Sequence, residues 1–111
     1  MRTSRKFFMA AALFACQLAT PPAQAQTEPD AGRRLYASCA ACHGTDGRPA
    51  AGGSLPPLAG QPREALIASM KAFQDGSRPA TIMHQLAKGY TSEQIELIAA
   101  YLAAPGNRER P

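Results

Sequence analysis

A small all-α domain is what the chain predicts, and three observations carry that reading. Apolar residues recur at helical spacing in separate stretches, such as Leu66, Met70 and Phe73, or Ile95, Ile98 and Leu102. No stretch alternates polar and apolar residues as a half-buried strand would, and no internal repeat is present. Between the periodic stretches lie glycine- and proline-rich segments that break regular structure.

Residues 1–25 read as a secretory signal peptide to be removed. Arg2, Arg5 and Lys6 precede a run from Phe7 to Ala19 that is apolar apart from Gln17, and Ala23-Gln24-Ala25 is a small-x-small cleavage site. The run falls short of the roughly 20 apolar residues that a membrane span needs. Cleavage before Cys16, as a lipoprotein, is the alternative processing. The expected mature domain is residues 26–111. Loss of Arg2, Arg5 and Lys6 cuts the twelve basic residues to nine, against eight acidic ones. The basic balance of the full chain therefore belongs to the leader and gives no reason to expect nucleic acid as a partner.

The elements follow in order. Asp30 is the expected N-cap of a helix running to about Cys42, with Ala31, Leu35 and Cys39 on one stripe and Gly32 and Tyr36 beside it. Residues 43–60 hold four glycines and three prolines outside Gly60 and read as loop. Pro62 in a first turn, Glu64 after it and Gly76 as a stop mark a helix over about 62–75. Arg78-Pro79 opens a new segment with a short helix expected over 80–87. Thr91 and Gln94 form a capping box for a last helix to about Ala104, and residues 107–111 read as frayed.

One pentapeptide carries the chemistry: Cys39-Ala40-Ala41-Cys42-His43. Two thiols three apart, with an imidazole directly after the second, form the attachment sequence of c-type haem. In a helical turn, positions i, i+3 and i+4 share a face. Cys39 and Cys42 are then placed to form thioethers to two porphyrin vinyl groups, and His43 to bind the iron axially. A zinc site or a dithiol module is the rival reading. Beyond this motif, however, the mature chain offers only His84 as a further His or Cys ligand, and no βαβ pattern surrounds the pair. With both remaining cysteines in the motif, no disulfide framework is expected. A domain this small also gains from a large apolar cofactor that completes its core.

A haem bound by His43 needs two further things. The second ring nitrogen requires an acceptor, for which the carbonyl of Pro56 or Pro57 is the candidate. The distal side requires a ligand or stands open. Met83 and His84 are both available, but adjacent helical residues point about 100° apart, so only one of them can face the iron. Met70 lies between Leu66 and Phe73 at helical spacing and reads as core.

The chain resembles the class I c-type cytochromes over essentially its whole mature length. The matching stretches are Cys39 to Gly47, Leu55-Pro-Pro-Leu-Ala-Gly-Gln61, Met70-Lys-Ala-Phe73, Arg78-Pro-Ala-Thr-Ile-Met83, Ala87-Lys-Gly-Tyr90 and Ile95 to Tyr101. Within the class it is most similar to the cytochrome subunits of flavocytochrome c sulfide dehydrogenases. The resemblance implies a small cytochrome c fold of about four helices around one covalent haem. It implies Met83 as distal ligand and Pro56 as carbonyl partner of His43. It also places Arg78, Lys88 and Tyr90 near the propionates or the haem edge. The first and last helices would cross at Ala31/Leu35 and Ile98/Tyr101. One departure is that Leu35, with Tyr36 a place later, stands where an aromatic often lies four residues before the first cysteine.

These readings converge on a periplasmic monohaem cytochrome that carries single electrons and is not itself an enzyme. It would serve as the haem subunit or electron acceptor of a flavoprotein sulfide dehydrogenase, docking redox proteins transiently and without membrane insertion after signal cleavage. The alternative is a haem enzyme or gas-binding sensor whose distal site is open or displaceable.

Overall fold

The computed structural model describes residues 27–108, and all the regular structure in them is helical. Residues 1–26, which include the expected signal peptide and Cys16, and residues 109–111 lie outside the described residues.

Helix α1 spans Glu28–Tyr36, with Thr27 as its extended N-cap and Pro29 in its first turn, where a missing N–H costs nothing. Asp30, expected as the cap, sits inside that turn and accepts the Thr27 hydroxyl at 3.0 Å. The helix also ends earlier than expected. At residues 37–39 the backbone tightens to i→i−3 bonds, Ala37 N–H to Arg34 O at 3.3 Å and Cys39 N–H to Tyr36 O at 2.8 Å. It restarts as a single turn, α2, over Ala40–His43. The glycine-rich segment that follows opens with a 3₁₀ turn at Thr45–Gly47 and is otherwise irregular up to α3.

Helix α3 covers Arg63–Asp75 and ends, as expected, on Gly76 in the left-handed region, φ 82°. Helix α4 spans Met83–Lys88, three residues later at its start than the sequence suggested. Helix α5 covers Ser92–Ala103 behind the expected capping box. The Gln94 N–H donates to Thr91 Oγ1 at 3.2 Å, and the Thr91 N–H donates to Gln94 Oε1 at 3.0 Å. A last turn, α6, runs over Pro105–Arg108.

The core sits where α1 crosses α5, with α3 packed on both α4 and α5. Gly32, not Ala31, is the contact point: a Cβ there would stand 2.7 Å from the Tyr101 Cβ and overlap the Leu97 carbonyl. One turn later Tyr36 meets Tyr101 with ring centroids 5.9 Å apart. Gly32 and Tyr36 are both buried, whereas Ala31 and Leu35 are only half-buried, so the crossing face is rotated by one residue from the resemblance. Ile95 and Leu102 complete the buried interior from the α5 side.

The C-terminal residues are tied down further than expected. Asn107 is buried at 3% exposure. Its side-chain amide donates to the Asp46 carbonyl at 3.0 Å, and its own carbonyl accepts from the Arg48 guanidinium. Fraying therefore does not begin at Asn107.

Candidate cofactor site

A cavity of about 240 Å³ opens between the motif turn, the 55–58 segment, α3, the 78–83 segment and α5. Cys39, His43, Pro56, Met70, Arg78 and Met83 all line it, and Leu66, Ile98 and Leu102 give it an apolar floor. Residues scattered from Tyr36 to Leu102 thus meet on one surface. Cys42 is the expected site residue that does not line this cavity; it is exposed and borders a second, more open depression with Gly44 and Asp46.

The motif turn has the geometry its spacing implies. The His43 and Cys42 N–H groups both point at the Cys39 carbonyl, at 2.9 and 3.2 Å, so residues 39, 42 and 43 belong to one helical turn. Neither thiol is in a disulfide. Gly44 closes the turn at φ 80°, where a Cβ would come within 2.8 Å of the Pro49 Cα, so only glycine serves. The Gly44 carbonyl accepts the Tyr36 hydroxyl at 2.7 Å, which anchors the residue after His43 to α1. Behind it, the Tyr101 hydroxyl donates to the Asp46 carboxylate.

Burial lowers the pKa of His43, which favours the neutral imidazole, the form that binds a metal. Its Nδ1 is buried without a hydrogen-bond partner. Such an atom is costly unless the ring's state is set by something the site takes up. No bond joins it to the Pro56 carbonyl, the expected acceptor. Pro57 differs from Pro56 in two respects: its carbonyl accepts from Gln61 Nε2 at 2.7 Å, and it does not line the cavity.

On the opposite wall, Met83 lines the cavity and His84 does not. The His84 ring bonds through Nε2 to the Arg78 carbonyl at 2.6 Å and meets the Phe73 ring edge-on, centroids 6.3 Å apart. The Arg78 guanidinium lies 4.8 Å over the same Phe73 ring and donates to Ser69 Oγ at 2.7 Å. Lys88 is exposed and does not line the cavity. The Tyr90 hydroxyl lies 2.6 Å from Ser38 Oγ and 4.0 Å from Cys39 Sγ, beside the attachment turn. Sequence reasoning missed the Tyr36–Gly44 and Tyr101–Asp46 links. The one signal for the first was the aromatic standing three residues before Cys39.

These residues fit a haem better than a bare metal ion. One thiol, one imidazole with an orphaned nitrogen and two thioethers, those of Met70 and Met83, line an apolar cavity. Among the described residues no group of three or more His, Cys, Asp or Glu side chains is placed to hold a metal. The fold and site together define a helical haem-carrying protein.

Comparison with known proteins agrees. The cytochrome c family profile matches residues 29–104, and the chain belongs to the cytochrome c family. It is 41% identical over 83 residues to the cytochrome subunit of sulfide dehydrogenase from Chlorobaculum tepidum, covering 75% of this chain and 74% of that one. It is 35% identical over 79 residues to the thiosulfate dehydrogenase electron acceptor of Stutzerimonas stutzeri, covering 68% of this chain but 36% of the relative. Among solved structures, cytochrome c4 of Acidithiobacillus ferrooxidans superposes with a TM-score of 0.63 at 32% identity, over 74% of this chain and 52% of that one. The protein is a monohaem c-type cytochrome, an electron carrier.

Proposed function

We propose that this cytochrome is exported to the periplasm, holds its haem through Cys39 and Cys42, and ligates the iron with His43 and Met83. The observation that carries the reading is the division of labour at positions 83 and 84. Met83 lines the cavity shared with His43, while the neighbouring imidazole is engaged with the Arg78 carbonyl. Bound there, the haem supplies reversible one-electron chemistry at iron, and a thioether ligand raises its potential. The residues around it keep the site apolar, and the Pro56 carbonyl, on the same cavity wall but not bonded to His43 here, would accept the Nδ1 proton once the haem is held. Arg78 stands at the cavity wall as the charge partner for the propionates. Removal of residues 1–25 as a signal peptide belongs to the same reading.

The partner in this reading is a flavoprotein that oxidises sulfide, with this chain as its haem subunit or electron acceptor. Support comes from the Chlorobaculum relative, named a sulfide dehydrogenase subunit, and from the Stutzerimonas relative, named an electron acceptor of thiosulfate dehydrogenase. Leu55 at the cavity, and Ile82 and Leu86 flanking Met83, are exposed at 40%, 58% and 47%. Apolar surface of that kind suits a small transient redox interface. Among the described residues no helix is long and apolar enough to cross a membrane.

The deciding experiment is the absorption spectrum of the oxidised holoprotein with and without Met83→Ala. A sulfur-to-iron charge-transfer band that is lost in the variant supports the assignment. A parent without the band, whose reduced form takes up carbon monoxide readily, would instead favour the open-site enzyme or sensor.

A further inference from the structure

The segment that delivers Met83 has little regular structure of its own. Between α3 and α4, residues 76–82 form no helix, and Pro79, Thr81 and Ile82 are exposed. Met83 is the first residue of the six-residue α4, and Ile82, its N-cap, makes no side-chain capping bond. A short uncapped helix end has little intrinsic rigidity. Something else must fix the direction of the first side chain.

Two ties close the segment into a ring. The Arg78 N–H donates to the Ala72 carbonyl at 3.1 Å, which fastens the start of the segment to α3. The Arg78 carbonyl then accepts from His84 Nε2 at 2.6 Å, which fastens the residue immediately after Met83 to the same point. The His84 ring is held further by its edge-on contact with Phe73, a residue of α3 that also lines the cavity. A carbonyl oxygen can only accept, so Nε2 must carry the proton. The neutral Nε2–H tautomer and the imidazolium both satisfy that requirement, so the tie does not depend on the charge of the ring.

We propose that His84 is a positioning residue for the distal ligand, holding Met83 toward the cavity through its bond to the Arg78 carbonyl. The inference rests on Met83 being that ligand. It assigns His84 a role other than competitor: its donating nitrogen is occupied and its ring lies outside the cavity wall.

The test uses the holoprotein with His84→Phe, His84→Ala and His84→Gln. Phe keeps an aromatic against Phe73 without the donor, Ala removes both, and Gln keeps a donor. The readouts are the sulfur-to-iron charge-transfer band and the affinity of the oxidised protein for added imidazole, which competes with the thioether. Loss of one well-formed hydrogen bond should raise imidazole affinity by about tenfold in the Phe and Ala variants and weaken the band. The Gln variant should return close to the parent. In a Met83→Ala background the same His84 changes should move imidazole affinity by less than about twofold, since no thioether remains to be held. A general structural defect would persist in that background. Should His84→Phe and His84→Ala both bind imidazole as the parent does while Met83→Ala abolishes the band, the positioning role is wrong and the ligand assignment stands. Should Met83→Ala leave the band intact, the ligand assignment itself fails.

Discussion

Gly32 lies against the backbone of Leu97 with no room for a side chain. The overlap is with a carbonyl inside α5, which cannot swing aside as a flexible side chain would. Gly32→Ala gains about 1 kcal/mol of helix propensity but forces the two helices apart, a kind of overpacking that costs about 1–3 kcal/mol. The steric term wins because the clash is with backbone. Thermal unfolding of the holoprotein should show a Tm lowered by roughly 5–10 °C, on the scale of about 4–8 °C per kcal/mol for a domain of this size.

The hydroxyl of Tyr36 gives an alkaline limit to stability. Burial pushes its pKa from 10.0 up to about 12. The folded chain therefore keeps the phenol protonated where the unfolded chain would release the proton. A raised folded pKa contributes stability that is complete below pH 10.0 and is lost as the pH climbs through about 12. Denaturation midpoints measured across this window should fall in the parent. In Tyr36→Phe that part of the fall should vanish, with stability below pH 10.0 lowered by about 1 kcal/mol for the lost bond to the Gly44 carbonyl.

Two thioethers line the cavity, and only one is assigned to the iron. Met70→Leu should preserve the sulfur-to-iron charge-transfer band with a stability change below about 1.5 kcal/mol, as volume-conserving swaps do. Met83→Leu should abolish the band and open the oxidised protein to imidazole. Loss of the band in Met70→Leu instead would reverse the assignment.

The capping box at Thr91 supports the helix that floors the site. Thr91→Ala removes the acceptor of the Gln94 N–H and should cost about 1 kcal/mol, while Thr91→Ser should recover most of it. Urea unfolding midpoints with unchanged slopes would show this.

What the chain revealed in one dimension was whatever local chemistry fixes. The Thr91–Gln94 box, the stop at Gly76 and the pairing of Cys39, Cys42 and His43 on one turn depend on neighbours three or four residues away, and all three stand as expected. The start of α1 was misplaced because Asp30 and Thr27 are both good caps. Pro29, favoured in a first turn, was the clue that the helix begins before it. The break at 37–39 was invisible, since Ala37 and Ser38 suit a helix. Tertiary contact decides it, with Ser38 Oγ held against the Tyr90 hydroxyl 52 residues away. The same holds for Asn107, whose burial depends on Asp46 and Arg48, and for His84, whose ring is drawn to the Arg78 carbonyl and away from the cavity that Met83 lines.

The crossing of α1 on α5 has a consequence for the order of events in biosynthesis. Helix α5 is made after every other wall of the cavity, and without it Gly32 loses its contact with Leu97 and Tyr36 its contact with Tyr101. Contacts so distant in sequence form late, because the intervening chain must first be closed into a loop. Until residues 92–103 arrive, the cavity lacks the wall that Ile95, Ile98, Ala99 and Leu102 give it. Afterwards Cys39 is recessed. Closure of the cavity behind the attachment turn thus waits on α5, the last of its walls to be made.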